Sequence, residues 1–486
     1  MSVVSTLETL ARQVVMGSFR GPELPQWAAR LLEGGLGSVC AFGSNVRSPD
    51  DLATLTAAIH AVRPDVLVAI DEEAGDVTRL HMTDGSPHPG NAALGAVDDL
   101  DLTERVARSI GASLAAAGID LDLAPVVDVN SNPNNPVIGV RSFGADPGLV
   151  ARHTTAFVAG LQAAGVGACA KHFPGHGDTA VDSHLALPTV DVPPATLRAR
   201  ELVPFRAAVE AGSVAVMSSH VLLPALDPMQ PATLSPTVLS VLREELGFDG
   251  LLVSDAVDMQ AVARGRGEPG AAVLALAAGC DLICLGADKD EDVHLAVVAA
   301  VVDAVQDGRL PEQRLTEAAG RVQVASATVQ GWCEHAAPSH SDLAASDEVA
   351  RRALRVDGTL PGLAGAVVLR LRTGTNAAVA DAAWGLPPDG AVLAGRPVLD
   401  VHPATPYADV LSATGRAPVV ALVREAHRHP WVLDLIHRLA AARPDLLVVE
   451  MGWPGEATLP GAAVVTTYGA SRANGAALDH LLSGAL

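Results

Sequence analysis

GVGACAKHFPGHGDTAVDSH, residues Gly165–His184, opens on small and apolar side chains and then turns abruptly polar. The first six residues have the character of a buried parallel strand. Lys171, His172, His176, Asp178, Asp182 and His184 follow, interrupted by Pro174, Gly175 and Gly177. Proline and glycine at that density exclude a regular helix, so the polar groups belong to a loop leaving a strand end. Chains that alternate strands with helices carry their chemistry on such loops.

Working outward, short apolar runs ending in polar residues predict eight strands, over 13–17, 36–42, 66–71, 119–125, 166–172, 214–219, 250–255 and 282–286. Helical stretches are expected between most of them, over 51–62, 102–117, 147–164, 193–211, 235–245 and 271–278, with another over 290–306. Gly118, Gly165, Gly212 and Gly279 stand where these helices end, as C-terminal caps do. Eight such units predict an α/β fold of the (β/α)8 TIM-like barrel type. Polar residues gather at the strand C-termini: Asp71 with Glu72 and Glu73, Asp128, Lys171 with His172, Ser219 with His220, and Asp255. An active site at that end of a barrel produces this bias.

A chain of 486 residues exceeds one ordinary core. The alternation lapses into a polar stretch at Cys333–Ser346, and a helix over 347–354 leads to new strand candidates at 366–371, 418–423, 446–451 and 463–467. The expected organisation is a barrel over 1–335, a linker over 336–355 and a smaller αβα sandwich over 356–486. In that second part, His427, Arg428 and His429 read as an exposed loop.

The net charge of −22 disfavours nucleic acid and anionic membranes as partners. Aromatic residues make up only 3%, thin for stacking against long polysaccharides, so a small hydrogen-bonded ligand is expected. The five cysteines are scattered, and Cys280 and Cys284 lie in the apolar run AGCDLICLGA, which reads as core; neither disulfide nor zinc site is expected. With no bilayer-length apolar run and no secretion-signal pattern at the start, a cytoplasmic protein is expected.

KHFPGHGDT followed by DSH, the strand end IDEEAG, the segment APVVDVNSNPNNPVIGVRSFG and the strand end VSDAVDM together resemble glycoside hydrolase family 3. Within it they resemble the β-N-acetylglucosaminidase branch, some members of which carry a following αβα sandwich. The resemblance runs from about residue 10 to 330 with the motifs in order. It implies a retaining, exo-acting enzyme of carbohydrate metabolism that removes terminal N-acetylglucosamine (GlcNAc) from small glycosides, with no cofactor and no metal. Retention needs a carboxylate beneath the anomeric carbon to form and release an ester. The resemblance assigns that role to Asp255. It assigns general acid/base catalysis to His184, oriented by Asp182, where most glycosidases use a second carboxylate. It assigns grip on the sugar to Asp71, Arg79, Arg141, Lys171 and His172. Asp128 matches a family acidic position with a structural role equally open, His176 and Asp178 are expected to brace the loop, and His220 is either a satisfied buried histidine or a site wall.

The family strand end usually reads Glu-Gly-Gly, and here it is Glu73-Ala74-Gly75. If that position requires positive φ, Ala74 costs about 1 kcal/mol or shifts the backbone. Two alternatives stand beside the hydrolase. One is phosphorolysis releasing GlcNAc 1-phosphate: a histidine acid/base spares an incoming phosphate the repulsion of a second carboxylate, about 3 kcal/mol per charge pair at about 5 Å and effective ε of about 20. The other is a metal-dependent barrel hydrolase built on His172, His176, His184, His220 and Asp255. Such barrels usually carry a His-x-His pair on the first strand, and residues 13–17 contain no histidine.

Overall fold

The computed structural model describes residues 6–181, 187–335, 341–374, 379, 382–395, 398–455 and 459–485. All eight expected barrel strands are present: Val15–Gly17, Ser38–Ala41, Leu67–Ile70, Leu121–Asp122, Gly167–Phe173, Ala215–Ser218, Leu251–Val253 and Ile283–Cys284. They form one parallel sheet in chain order, with the eighth strand beside the first. A parallel bridge between Val253 and Leu282 joins the seventh to the eighth and completes the circle.

The strands are apolar on both faces, as a barrel wall must be. Cys40, Leu67, Ala69, Leu121, Cys169 and Met217 pack in the interior cluster. Their neighbours Val39, Ala41, Val68 and Ile70 pack outward among the helices. Helix starts are fixed by side-chain caps: Ser48 accepts from the Asp51 amide ahead of Pro49–Val62, Asp99 from Leu102 ahead of Leu100–Ala116, and Asp146 from Leu149 ahead of Pro147–Ala163. Gly118, Gly165, Gly212 and Gly279 all have positive φ, the conformation expected of them at the turns into the following strands.

Several helices have no counterpart among those expected from the sequence, and two of them shape the barrel. Gln26–Glu33 follows the first strand, and Glu312–His335 runs beneath the barrel. Val322, Ala325 and Val329 of the latter join the interior cluster. Ser326 Oγ donates to the Asp65 carbonyl at 2.7 Å, just ahead of the third strand, so this helix closes the N-terminal end.

The second sheet is a separate α/β unit with strand order Arg355–Gly358, Ala463–Thr466, Leu446–Glu450, Val419–Val423, Val367–Leu371, Leu399–Val401. All pairings are parallel except that of the edge strand Arg355–Gly358. Tyr407–Thr414 and Pro430–Ala442 cover one face, and Arg472–Ser483 covers the other. Two expectations are corrected here. The helix expected over 347–354 is Leu343–Arg352, because Asp342 caps it four residues earlier by accepting from the Ala345 amide. The segment around His427 is half-buried rather than an exposed loop: it forms a short turn, and His427 Nε2 donates to the Pro133 carbonyl on the barrel at 2.8 Å. Arg424 meets Asp76 at 3.5 Å and the Ala470 amide donates to Asp76 at 2.7 Å, so the second sheet abuts the loops at the chemical end of the barrel. No helix among the described residues is long and apolar enough to cross a membrane.

Candidate active site

Three strand ends and one turn build the site. The third strand delivers Asp71 and then turns sharply through Ala74 and Gly75, both at positive φ, 63° and 59°. A Cβ on Gly75 would come within 2.5 Å of the Gly90 Cα, so the second of these positions demands glycine on space as well as conformation. Glu72 organises the loop beyond this turn: one of its oxygens accepts from Thr78 Oγ1 (2.9 Å) and from the amides of Arg79 (2.7 Å) and Leu80 (3.0 Å). It therefore sets the backbone that carries Arg79. The fifth strand supplies Lys171 and His172, the seventh ends just before Asp255, and the 3₁₀ turn Gly139–Arg141 carries Arg141.

Ala74 is the site of a small but clean expectation. A left-handed conformation costs a Cβ-bearing residue about 1–2 kcal/mol, while glycine forfeits about 0.5–1 kcal/mol in backbone entropy. Ala74→Gly should stabilise the fold by up to about 1 kcal/mol, seen as a higher urea midpoint at unchanged slope. A lower midpoint would mean that packing of the buried Ala74 methyl outweighs its strain.

Glu73 is the hub of the charges. It takes a two-pronged grip from Arg141 (Nη2–Oε1 2.7 Å, Nε–Oε2 2.8 Å) and a third contact from Lys171 Nζ at 2.7 Å. Lys171 also reaches Asp71 at 2.5 Å. Burial alone would push the Glu73 carboxyl up, but the adjacent Arg141 and Lys171 cations outweigh it and hold the group well below the usual carboxylate range. Burial likewise works against the charge on Lys171, and Asp71 and Glu73 outweigh it, keeping the ammonium protonated. The result is a fixed, fully ionised cluster.

His172 is oriented by Asp128, whose Oδ2 lies 2.7 Å from Nδ1. The other Asp128 oxygen accepts from the His176 amide at 2.7 Å. Burial acts against the Asp128 charge, yet His172 and His176 hold its pKa down. With Nδ1–H given to the carboxylate, His172 Nε2 faces Arg141 Nη2 at 3.5 Å as an acceptor. His176 packs under the loop with Nδ1 at 2.8 Å from Thr179 Oγ1, and burial drops its pKa to about 4, so it is neutral near pH 7. Asp178 meets Arg200 at 2.6 Å. His220 is a satisfied buried histidine: its ring lies 2.9 Å from Thr233 Oγ1 on one side and 2.9 Å from the Ala256 carbonyl on the other, bracing the residue next to Asp255.

Asp71, Arg79, Arg141, Lys171, His172 and Asp255 all line one cavity of about 280 Å³, small for a ligand site and suited to one sugar ring rather than a polymer. Asp182 and His184 lie outside the described residues. The cavity wall also includes Glu73, Asp258 and Met259. Glu73 stands within the IDEEAG signal, where the Ala74 departure obscures it. Asp258, held by Lys289 at 2.9 Å, follows Asp255 by three residues and carries no signal that separates it from a surface acid. Among the described residues, no group of three or more His, Cys, Asp or Glu side chains is arranged to hold a metal ion.

A closed parallel barrel that gathers ionised side chains around a small cavity at its strand C-termini defines a barrel enzyme. Residues 12–325 match the glycosyl hydrolase family 3 N-terminal domain, and the chain belongs to that family. Among solved structures it is similar to a glycoside hydrolase family 3 β-N-acetylglucosaminidase from Paenibacillus sp. FPU-7, with 33% identity and a TM-score of 0.87 over 99% of this chain and 97% of that one. NagZ from Neisseria gonorrhoeae, solved with N-trifluoroacetyl-D-glucosamine, is 32% identical with a TM-score of 0.58 over 70% of this chain and 98% of that one. The β-hexosaminidase A of Pseudoalteromonas piscicida is 34% identical across 62% of this chain, and the match spans only about half, 54%, of that relative's length.

Proposed function

We propose that the protein is a retaining, exo-acting β-N-acetylglucosaminidase that removes terminal GlcNAc through a covalent glycosyl ester on Asp255. The observation that carries this reading is convergence: six side chains from distant parts of the sequence line one cavity of about 280 Å³. Asp71, Lys171, Arg141, Arg79 and His172 hydrogen-bond the hydroxyls of the terminal sugar. Asp71 pairs with Lys171, Glu73 holds Lys171 and Arg141, and Asp128 holds His172, so these four are positioned before substrate arrives and little ordering is left to binding. Asp255 attacks the anomeric carbon. His184, oriented by Asp182, protonates the leaving oxygen and then takes a proton from the water that opens the ester.

Relatives at 32–34% identity are named as hexosaminidase, acetylglucosaminidase or NagZ, which favours hydrolysis over phosphorolysis. Four cysteines, Cys40, Cys169, Cys280 and Cys284, are buried free thiols, in keeping with a reducing cytoplasm. The test is turnover of an aryl β-N-acetylglucosaminide and of GlcNAc-containing disaccharides, with products followed by NMR in the presence and absence of millimolar phosphate. GlcNAc released first as the β anomer, at a rate indifferent to phosphate, is the expected result. Release of a sugar 1-phosphate would replace the hydrolase by a phosphorylase, and initial release of the α anomer would remove the Asp255 ester.

The histidine acid makes a separate expectation. His184→Ala should lower cleavage of disaccharides by about 100-fold, because a sugar alkoxide departs poorly without a proton. A nitrophenolate needs no proton, so the first step on the nitrophenyl glycoside should be nearly untouched. Equal losses on both substrates would make His184 a binding residue.

A further inference from the structure

The second sheet contains a topological switch point. From Val367–Leu371 the chain moves to one side, to Leu399–Val401, and then returns past it to Val419–Val423 on the other side. In open α/β sheets, ligands bind in the crevice outside the carboxyl ends of the two strands at such a point. A cavity of about 260 Å³ lies at that place. Thr373 and Gly374 line it beyond the first strand, Arg424 beyond the second, and Arg428 and His429 at the start of helix Pro430–Ala442. The barrel closes the remaining side with Asp76 and the segment that ends in Arg141.

Three guanidinium groups converge on this crevice in a chain whose net charge is −22. Arg424 and Arg428 line it with their partners Asp76 and Glu425, and Arg141, gripped by Glu73, reaches it from the barrel side. Each pairing in the crevice occupies a single terminal guanidinium nitrogen: Arg424 Nη1 meets Asp76, and Arg428 Nη1 meets Glu425. A guanidinium has five donors, so both retain others. Arg424 is fixed further by stacking on Trp384, with the guanidinium 4.5 Å from the ring centroid. Burial raises the Asp76 and Glu425 carboxyls above their ordinary values, against the pull of Arg424 and Arg428. We propose that this crevice is a second ligand site, for a small anion of the phosphate or carboxylate class, separated from the catalytic cavity by the shared wall of Val137 and Arg141.

The experiment is calorimetric titration of the full-length protein with inorganic phosphate. Saturable one-site binding is expected, weakened at least tenfold in both Arg428→Gln and His429→Ala, with folding of each checked by circular dichroism. Should either variant fail to fold, Thr373→Trp fills the crevice without touching an ion pair and should abolish the heat. Absence of saturable binding overturns the proposal. So does unchanged affinity in folded variants, which would locate the phosphate elsewhere. A further arm repeats the wild-type titration with GlcNAc saturating the catalytic cavity. Where the variants weaken binding, unchanged affinity in this arm identifies an independent small ligand. Lost affinity would show that the two sites are not separate and would overturn the proposal.

Discussion

Asp255→Ala is expected to lower kcat on every glycoside by about 10⁴-fold or more, equivalent to at least ~5.5 kcal/mol of transition-state stabilisation. In the proposed mechanism Asp255 carries the ester, whereas Asp258, on the same cavity, is held by Lys289 at 2.9 Å. The native Asp255 side chain is held from both directions: the Ala256 amide donates to its Oδ1 at 2.8 Å, and His220 fixes the Ala256 carbonyl at 2.9 Å. Alanine vacates space that a small anion can enter, so azide should restore part of the turnover and yield a glycosyl azide of inverted configuration. The check is steady-state turnover with and without azide, beside product analysis. Substantial activity in the variant with no added anion would remove the ester from the mechanism.

The second large effect concerns stability. Glu73→Gln removes the carboxylate that neutralises Arg141 and Lys171 while leaving both cations buried. Breaking one partner out of a buried charge cluster costs about 3–5 kcal/mol, and that loss should appear in urea unfolding. Substrate affinity should fall with it, because Lys171 and Arg141 lose the group that positions them. The depressed carboxyl also sets a pH dependence. Its folded pKa lies below the ordinary value of 4.5, so its contribution is complete above 4.5 and disappears as pH falls through the folded value. Wild type should therefore lose stability on acidification below 4.5 more steeply than Glu73→Gln. Parallel curves would show that another group governs acid stability.

The barrel is legible in the sequence because each wall strand is buried on both faces and several end in charged or polar residues. Val166 to His172 announces itself by that contrast, and the observed strand Gly167–Phe173 lies within a residue of it. The fourth strand is shorter than its apolar run predicts, Leu121–Asp122 against 119–125, because apolarity continues after the ladder stops: Leu123 and Val126 are buried too. Edge strands are invisible for the opposite reason. Arg355–Gly358 is exposed along its whole length and Leu399–Val401 is only three residues, so neither carries a two-sided apolar run. Composition and spacing alone leave Asp182 and His184 as a surface pair. Docking of His427 on Pro133 joins residues 294 apart, and no local pattern encodes such a contact. Glu73 shows the reverse failure: its signal is present, and an alanine in place of a glycine weakens it.

The helix Glu312–His335 gives the barrel a solid floor, and Met16, Leu67, Leu121 and Met217 fill the space above it. Asp255 lines the cavity at the opposite end of the barrel. In the proposed mechanism the departing alcohol must leave this cavity before water takes its place. Under that mechanism the lifetime of the ester would depend on exchange in the cavity as well as on bond chemistry, and an alcohol that stays there would compete with water for the sugar.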